Sequence, residues 1–275
     1  MNKCLTGALL LVFLVTVGAS QLVGQNVASK KNLRKPHFKT YVIAHRGAHA
    51  GIPENSLPAY QKAIDLGCDF VEIDARLTKD GKIVSIHNAT IDQYVKKGSG
   101  EVKKMTLAEI KALDIGLKTG PEWKGTQIPT VEEILQLCQG KIGIYLDLKD
   151  APIDSLMALL RKYKMGEEVV WYIPASYLFS IENVDSTFGS SFIMPDPGSE
   201  KKLDEVLAKL NPRVVATDMG ALSKTFVEKC HANGAKVFVD EKEGTEAEWQ
   251  QILEWGTDGI QTDHPEELIR FLNAR

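Results

Sequence analysis

Charged and titratable side chains stand at the C-terminal ends of four short apolar segments within residues 41–149. The segments are Tyr41–Ala44, Phe70–Asp74, Ile83–His87 and Ile142–Leu148, and the side chains in or directly after them are His45, Arg46, Glu72, Asp74, His87, Asp147 and Lys149. The carboxyl ends of parallel strands meet at one face of a barrel, where barrel enzymes carry their active sites. If the segments are parallel strands, these side chains line one site.

Three of these side chains are carboxylates whose spacing predicts a metal site. Glu72 and Asp74 are two residues apart, so both point to the same side of a strand, and Asp147 ends another strand. Carboxylates that converge on one point repel each other unless a cation lies between them. Oxygen ligands favour Ca²⁺ or Mg²⁺ over zinc. We therefore predict a divalent metal ion, Ca²⁺ or Mg²⁺, bound by these three residues.

The remaining side chains are suited to the cleavage of a phosphodiester. His45 and His87 provide two imidazoles, which can act as general acid and general base. Arg46 and Lys149 would hold the phosphate, the arginine through its planar fork of donors. Together with a metal ion, these groups provide charge neutralisation, activation of the nucleophile and protonation of the leaving group. The sequence has no Gly-x-Ser-x-Gly motif, so serine hydrolysis is unsupported.

From Tyr41 onwards, short β-branched segments alternate with amphipathic segments, which is the pattern of βα units around a parallel sheet. A chain of 275 residues fits a single α/β barrel, whose usual length is about 250 residues. Further strands are predicted at Val169–Ile173, Ser191–Met194, Val214–Thr217, Lys236–Val239 and Gly259–Thr262. Helices are predicted at Ser56–Leu66, Leu107–Leu113, Val131–Gln139, Ile153–Lys164, Glu200–Leu210, Lys224–Asn233 and Glu246–Trp255. Nine strand candidates exceed the eight positions of a barrel, so one lies outside it or is not a strand.

The segment between the third and fourth strand candidates has an unusual length. Residues 88–127 are more than an ordinary βα loop needs, which predicts a small excursion at the mouth of the barrel. Trp171, at the end of the fifth strand candidate, is a candidate to line the pocket. Three histidines outside the strand ends, His37, His231 and His264, are predicted to be solvated or structural.

The first nineteen residues have the features of a signal peptide. Lys3 precedes the uncharged apolar run Leu5–Val17, and Val17-Gly18-Ala19 offers the small residues that a signal peptidase reads. The run is shorter than the roughly 20 residues that a membrane span needs. We predict a signal peptide at 1–19, export to a periplasm or out of the cell, and no stable membrane insertion after cleavage. Residues 20–38 are polar and basic and predict a flexible lead-in.

Composition narrows the class of partner. The formal net charge is −3 and no long basic stripe is present, so the sequence does not indicate a nucleic-acid binder. The predicted partner is a small-molecule phosphodiester.

Cys68, Cys138 and Cys230 remain after signal cleavage, and their odd number and wide spacing fit neither a disulfide framework nor a zinc pattern. We predict that they are buried as small apolar side chains.

Six short motifs extend the pattern across the chain. They are His45-Arg46-Gly47, Pro53-Glu54-Asn55-Ser56, Glu72-Ile73-Asp74, Asp80-Gly81 before Ile83–His87, Ile128-Pro129-Thr130, and Asp258-Gly259-Ile260-Gln261-Thr262-Asp263. Together they resemble the glycerophosphodiester phosphodiesterase family, from about Tyr41 to the C-terminus. The resemblance implies a family domain over 39–275, a TIM (β/α)8 barrel with a small insertion after the third strand, about 88–127. It also implies hydrolysis of a glycerophosphodiester to glycerol 3-phosphate and an alcohol.

The resemblance further implies roles for single residues. These are general acid and base for His45 and His87, metal binding for Glu72, Asp74 and Asp147, and support near the first loop for Glu54 and Asn55. The resemblance also implies that the glycerol 2-hydroxyl attacks phosphorus, which gives a cyclic phosphate that water then opens.

The sequence departs from the family pattern at four places, which concern the substrate more than the fold. Asp147 stands where most members have Glu, Asn88 where Asp is usual, His49 where a small residue is usual, and Val237–Asp240 where Trp-Thr-x-Asn is common. Two alternatives follow: a related phosphodiesterase that acts on a phosphoinositol or another lipid-derived phosphodiester, and a non-catalytic exported protein that binds a phosphate ligand. The presence of both His45 and His87 argues against the second, because a binding protein needs no acid/base pair.

Overall fold

Strands and helices alternate along the part of the chain that this computed structural model describes, residues 32–275. The strands are β1 (Tyr41–Ala44), β2 (Phe70–Leu77), β3 (Ile83–Ser85), β4 (Gly143–Leu148), β5 (Val169–Pro174), β6 (Phe192–Asp196), β7 (Val214–Asp218), β8 (Lys236–Asp240) and β9 (Gly259–Thr262). The predicted signal peptide, 1–19, and residues 20–31 of the predicted lead-in lie outside the described residues, so both stay predictions.

All seven predicted helices are present, with ends that differ by a few residues. The helices are α1 (Leu57–Leu66), α2 (Leu107–Lys111), α3 (Gly116–Thr119), α4 (Val131–Cys138), α5 (Ile153–Lys162), α6 (Ala175–Leu178), α7 (Val184–Phe188), α8 (Glu200–Leu210), α9 (Lys224–Ala232), α10 (Glu246–Glu254) and α11 (Pro265–Asn273). Helix α11 was not predicted, although proline at its first position is a typical helix start. Within residues 32–275, every helix is too short or too polar to cross a bilayer.

The parallel strands are hydrogen-bonded in the order β6-β5-β4-β2-β1-β9-β8-β7. The strands at the two ends of this path, β6 and β7, contact each other, so the sheet curls into a nearly closed barrel. Helices follow most of the strands and cover the outer face of the sheet, where they bury its apolar side chains. The architecture confirms the predicted TIM (β/α)8 barrel.

The strand candidate Ile83–His87 is the one that lies outside the barrel. Its regular part, β3, pairs antiparallel with β2, and Ala75 is opposite Ser85. Residues 78–82 form a tight turn between the two strands, whereas a parallel crossover needs a dozen or more residues. Strand β3 is therefore third along the chain but extends β2 as a hairpin, and the third strand of the barrel itself is β4.

Strand alternation divides the side chains of the barrel between two apolar cores. Inward side chains fill the interior, where Tyr41, Phe70 and Phe238 pack with ring centroids 5.2 to 5.9 Å apart. Outward side chains pack beneath the helices in the larger core. Because Phe70 points inward, Glu72 and Asp74 on the same strand also point inward, closer to the C-terminal mouth.

Residues 88–127 form a small excursion with an apolar cluster of its own. The excursion contains α2, α3 and two short 3-10 helices, Val102–Lys104 and Pro121–Trp123. Its apolar side chains pack with Val84 and Ile86, in and just after β3. The excursion is therefore anchored on the hairpin and lies beside the mouth as a structured wall.

The segment before β1 lies against the barrel. Tyr41 Oη donates to Arg34 O at 2.6 Å, and His37 N donates to Asp69 Oδ1 at 2.9 Å, so hydrogen bonds join residues 34–37 to the barrel. The flexibility predicted for 20–38 stays a prediction, while His37 is structural as expected.

The three cysteines of the described chain confirm their predicted character. Cys68, Cys138 and Cys230 are buried and free. Burial raises the pKa of each thiol to about 12. The thiols are therefore protonated at neutral pH and unreactive.

The loop between β1 and α1, here called the first loop, has a backbone that only certain residues tolerate. Arg46, Gly47 and Asn55 have positive φ angles of 53°, 84° and 50°. Gly47 N donates to Ala44 O at 3.1 Å, and a Cβ on Gly47 would lie 2.8 Å from the carbonyl carbon of Ala59 in α1. Glycine at this position therefore lets the first loop pack directly on α1.

Gly47→Ala should destabilise the fold more than Gly51→Ala, and the two substitutions form a matched pair. Both place alanine at a positive φ, 84° and 72°, which costs roughly 1–2 kcal/mol. A Cβ on Gly51 would meet nothing within 4 Å, whereas a Cβ on Gly47 must displace α1, which adds roughly 1–3 kcal/mol. Unfolding in urea measures both changes. Equal losses in the free energy of unfolding would contradict the close packing at Gly47.

Candidate active site

A cavity of about 220 Å³ opens at the C-terminal ends of the barrel strands. The predicted site residues in its wall are His45, Arg46, Glu72, His87 and Asp147. The other four contact these residues directly or through one another, and they are Glu54, Asn55, Asp74 and Lys149. The structure thus brings all nine predicted residues together at one face.

Strand register brings the three carboxylates into one cluster. Asp74 on β2 is opposite Asp147 on β4, and Glu72 lies two residues earlier on the same inward face. Ligand atoms of the three lie within 4.8 Å of one another. Burial raises the pKa of Glu72 well above its ordinary value, and the charges of Asp74 and Asp147 raise it further. The cluster therefore needs positive charge to remain ionised.

Lys149 supplies one positive charge to this cluster. Its Nζ lies 2.5 Å from Asp147 Oδ2 and 3.1 Å from Asp74 Oδ1. Burial alone would lower the pKa of Lys149, but the two carboxylates hold it above its ordinary value. Burial nevertheless keeps the pKa of Asp147 raised. Lys149 offsets part of the repulsion, and its predicted contact with phosphate stays a prediction.

The donor set of the cluster fits a hard divalent cation. Asp74 is fully buried, and its Oδ2 accepts a hydrogen bond from Asn55 Nδ2 at 2.7 Å. Its Oδ1 accepts no hydrogen bond from residues 32–275 and has the ion pair with Lys149 instead. Ionised carboxylates only accept, and Ca²⁺ and Mg²⁺ prefer such oxygen ligands. Glu72, Asp74 and Asp147 are therefore the residues that could hold the cation.

The guanidinium of Arg46 is held at the edge of the cavity by Glu54. Arg46 Nη1 donates to the two carboxylate oxygens of Glu54 at 3.1 and 3.3 Å, and the Arg46 backbone N donates to Glu72 Oε2 at 2.8 Å. Arg46 Nε is buried, and within the described chain it has no hydrogen-bond partner. Arg46 Nε lies 3.9 Å from Asp74 Oδ2, so the guanidinium charge faces both Glu54 and the carboxylate cluster.

Asn55 joins the first loop to the carboxylates through a buried network that the sequence did not indicate. The hydroxyl of Tyr60 lies 2.8 Å from Asn55 Oδ1 and 2.9 Å from Ser85 Oγ. Ser85 Oγ in turn accepts a hydrogen bond from Asp74 N at 3.2 Å. No local pattern could have revealed these contacts, because they join α1, β2 and β3 across the fold.

His45 is held by Asp263, which closes one of the sequence motifs but was given no role there. His45 Nδ1 lies 2.7 Å from Asp263 Oδ1. Burial alone would raise the pKa of Asp263, but hydrogen bonds from His45 and His49 hold it well below its ordinary value. Because an ionised carboxylate only accepts, His45 Nδ1 carries a proton and Nε2 is the acceptor of the neutral ring.

His87 is held by the neutral amide of Asn88. His87 Nδ1 lies 2.9 Å from Asn88 Oδ1, and Asn88 Nδ2 donates to Gln93 Oε1 at 2.9 Å, which orients the amide. His87 Nδ1 therefore donates, and Nε2 is again the free nitrogen. Arg76 Nη2 donates to His87 O at 2.7 Å and fixes the backbone. Asparagine at position 88 keeps the tautomer but places no negative charge beside the ring.

The opposite wall of the cavity is acidic, which the sequence did not predict. Asp196, Asp218 and Asp240 end β6, β7 and β8 and line the cavity together with Tyr172. Tyr172 Oη donates to Asp196 Oδ2 at 2.8 Å, and burial raises the pKa of Asp240. Trp171, the predicted lining residue, instead points outward and is buried in the larger core beneath the helices. That prediction is wrong because neighbouring residues of β5 point to opposite faces, and Tyr172 points inward.

Comparison with known protein families agrees with the geometry. A sequence profile described as the Glycerophosphoryl diester phosphodiesterase family matches residues 45–188. This range holds both histidines and the three carboxylates of the cluster. The fold, the site and the match define the class of the protein, a TIM-barrel hydrolase of phosphoric diesters.

Individual relatives support the same assignment. A glycerophosphodiester phosphodiesterase of Caldanaerobacter subterraneus is 34% identical over 254 residues, which cover 86% of this chain and 98% of that protein. The chain belongs to the glycerophosphodiester phosphodiesterase family.

Solved structures show the same fold. The crystal structure of glycerophosphodiester phosphodiesterase from Agrobacterium tumefaciens has a TM-score of 0.73 at 25% identity, over 84% of this chain and 99% of that one. An Oleispira antarctica phosphodiesterase, solved in complex with the product sn-glycerol-3-phosphate, has a TM-score of 0.76 at 24% identity, over 85% of this chain and 96% of that one.

Glu72→Gln should stabilise the chain when divalent cations are removed by a chelator. The amide keeps the size of the side chain and an acceptor for Arg46 N, but removes a buried carboxyl that must either carry a repelled charge or take up a proton on folding. We expect the free energy of unfolding to rise by roughly 1–2 kcal/mol. Glu132→Gln removes a more exposed carboxylate that pairs with Lys162, so it should leave stability unchanged or lower it by up to roughly 1 kcal/mol. Thermal unfolding in chelator measures both, and a less stable Glu72→Gln chain would contradict the repulsion.

Proposed function

We propose that this chain hydrolyses a glycerophosphodiester to glycerol 3-phosphate and an alcohol, with a divalent cation as cofactor and two histidines as general base and general acid. The observation that carries the proposal is that His45, His87 and the carboxylate cluster border one cavity. Membership of the family supports the class of reaction. The product bound to the Oleispira protein is the product proposed for this chain.

Glu72, Asp74 and Asp147 would hold the cation, Ca²⁺ or Mg²⁺. When bound, the cation neutralises charge on the phosphate oxygens. Arg46 and Lys149 would contact the other phosphate oxygens, because both are cations at the edge of the carboxylate cluster. The position of Arg46 in the wall of the cavity supports this assignment.

The partners of the two imidazoles divide the proton transfers between them. Asp263 places a negative charge beside the imidazolium that forms when His45 accepts a proton, so we assign His45 as the general base. Asn88 provides His87 with no such charge, so protonated His87 is suited to donate its proton. His87 is therefore assigned as the general acid of the first step.

Two steps then complete the reaction. The glycerol 2-hydroxyl gives its proton to His45 Nε2 as its oxygen bonds to phosphorus, while the bond from phosphorus to the alcohol oxygen breaks and that oxygen takes a proton from His87. Next, water gives a proton to His87 as its oxygen bonds to phosphorus. The bond to the glycerol 2-oxygen breaks, and His45 returns its proton there. Both histidines regain their initial protonation.

A second cavity of about 320 Å³ offers room for one of the two substituents of the phosphate. It lies between the first loop and the excursion 88–127, and its walls include Glu54, Tyr94 and Lys118. Arg46 lines both cavities, so a phosphate held there would extend one substituent into each. Because the glycerol hydroxyl must reach His45 in the first cavity, we assign the alcohol to the second.

His45→Ala and His87→Ala should each lower turnover by roughly 10²–10⁴-fold without weakening the cation site. Asp74→Asn should lower turnover and also reduce the rise in unfolding temperature that the cation causes, because it removes a ligand charge. Release of glycerol 3-phosphate from a panel of glycerophosphodiesters measures turnover. Thermal unfolding with and without Ca²⁺ or Mg²⁺ measures cation binding separately.

His231→Gln is the matched control for these substitutions. His231 lies on α9 and pairs with Asp258, outside the wall of the cavity. The variant should keep both turnover and the cation response. Undiminished turnover in His87→Ala would contradict the acid/base assignment, and a full cation response in Asp74→Asn would contradict the cation site.

A further inference from the structure

His45, His49 and Asp263 form a cluster of metal-ligating groups at the rim of the cavity, apart from the three carboxylates. His45 Nδ1 and His49 Nε2 lie 2.7 and 2.9 Å from the same oxygen, Asp263 Oδ1. The three ligand atoms lie within 4.8 Å of one another. The side chain of Asp263 is 51% exposed, so solutes reach the cluster from solvent.

We propose that these three side chains bind Zn²⁺ and that zinc bound there inhibits the hydrolase. Two imidazole nitrogens and one carboxylate oxygen are typical donors of zinc sites, whereas Ca²⁺ and Mg²⁺ prefer oxygen alone. Three protein ligands and one water complete a tetrahedral shell. Tetrahedral bonds of about 2.1 Å place ligand atoms about 3.4 Å apart, so the two short distances must lengthen by roughly 0.5–0.7 Å.

The backbone already fixes the three residues relative to one another. Strands β1 and β9 are neighbours, and His45 N donates to Thr262 O at 3.0 Å. His45 and Asp263 directly follow these two strands. His49 is held in the first loop, where Ile52 N donates to its carbonyl oxygen at 3.0 Å. Zinc binding therefore requires small side-chain movements and no folding of a loop.

Zinc at this site removes the base function of His45, a consequence that rests on the proposed function. A metal ion on Nδ1 requires that nitrogen to be unprotonated. The neutral imidazole keeps one proton, which exchange with solvent places on Nε2. His45 Nε2 then cannot accept the proton of the attacking hydroxyl. Zinc thus inhibits without displacing the cation from the carboxylate cluster.

A second histidine–carboxylate pair, His231 with Asp258, lacks the ligands that a zinc site needs. His231 Nε2 lies 2.8 Å from Asp258 Oδ2. Lys236 Nζ lies 2.9 Å from the other oxygen of Asp258, and Val237 N donates to Oδ2 at 2.9 Å. This pair offers only one imidazole, and its carboxylate already forms an ion pair with Lys236. It is therefore not suited to zinc. His231→Gln is therefore the matched control.

The test is a Zn²⁺ titration of the purified wild type, His49→Gln and His231→Gln chains, each saturated with Mg²⁺ and checked for folding by thermal unfolding. Calorimetry measures affinity and stoichiometry, and glycerol 3-phosphate release, relative to the zinc-free rate of each chain, measures inhibition. We expect one zinc site in the wild type and His231→Gln. In His49→Gln, the Kd and the zinc concentration that halves the rate should both rise at least about tenfold.

Two results would overturn the zinc site. One is equal zinc affinity in the wild type and His49→Gln. The other is zinc that rising Mg²⁺ displaces, because that would place zinc on the carboxylate cluster. Zinc binding that depends on His49 but leaves the rate unchanged would support the site and overturn the base role of His45. Failure of the site and failure of the proposed function are thus distinguishable.

Discussion

Repulsion among three carboxylates, two of them buried and one half-buried, is the interaction on which the rest of the site depends. Register sets Asp74 opposite Asp147, and alternation along β2 adds Glu72 to the same face. Lys149 offsets part of the repulsion by its charge, and Asn55 by a hydrogen bond. The stability that holds the cluster together comes from the apolar cores on both faces of the barrel wall. The same repulsion would give a divalent cation its affinity.

The two imidazoles stand around this cluster on backbone that the barrel fixes. His45 follows β1 and is bound to Asp263, which follows the neighbouring strand β9. His87 follows the hairpin strand β3, and Arg76 on β2 holds its carbonyl oxygen. Both rings use Nδ1 for an oxygen acceptor, which leaves Nε2 free in each. The acceptor is a carboxylate for His45 and a neutral amide for His87, and that difference is the basis for assigning one base and one acid.

The barrel and the face that carries the site could be predicted, because strand periodicity and polar strand ends are local patterns. The antiparallel pairing of β3 was missed, although the connection at residues 78–82 is too short for a parallel crossover. The outward direction of Trp171 could not be predicted, because it depends on register, which local patterns leave open. Tyr60 and Ser85 were missed for a related reason, since their hydrogen bonds join elements far apart in sequence. The role of Asp263 became visible only when β9 was placed beside β1.

The most direct measurement is a titration of the purified, metal-stripped chain with Ca²⁺ and, separately, with Mg²⁺. Glycerol 3-phosphate release and the unfolding temperature are followed in the same samples. We expect no turnover in chelator and, with at least one cation, a rise of both quantities at the same half-saturating concentration. Full turnover in chelator, or turnover that rises without any stabilisation of the fold, would contradict a catalytic cation held by the carboxylate cluster.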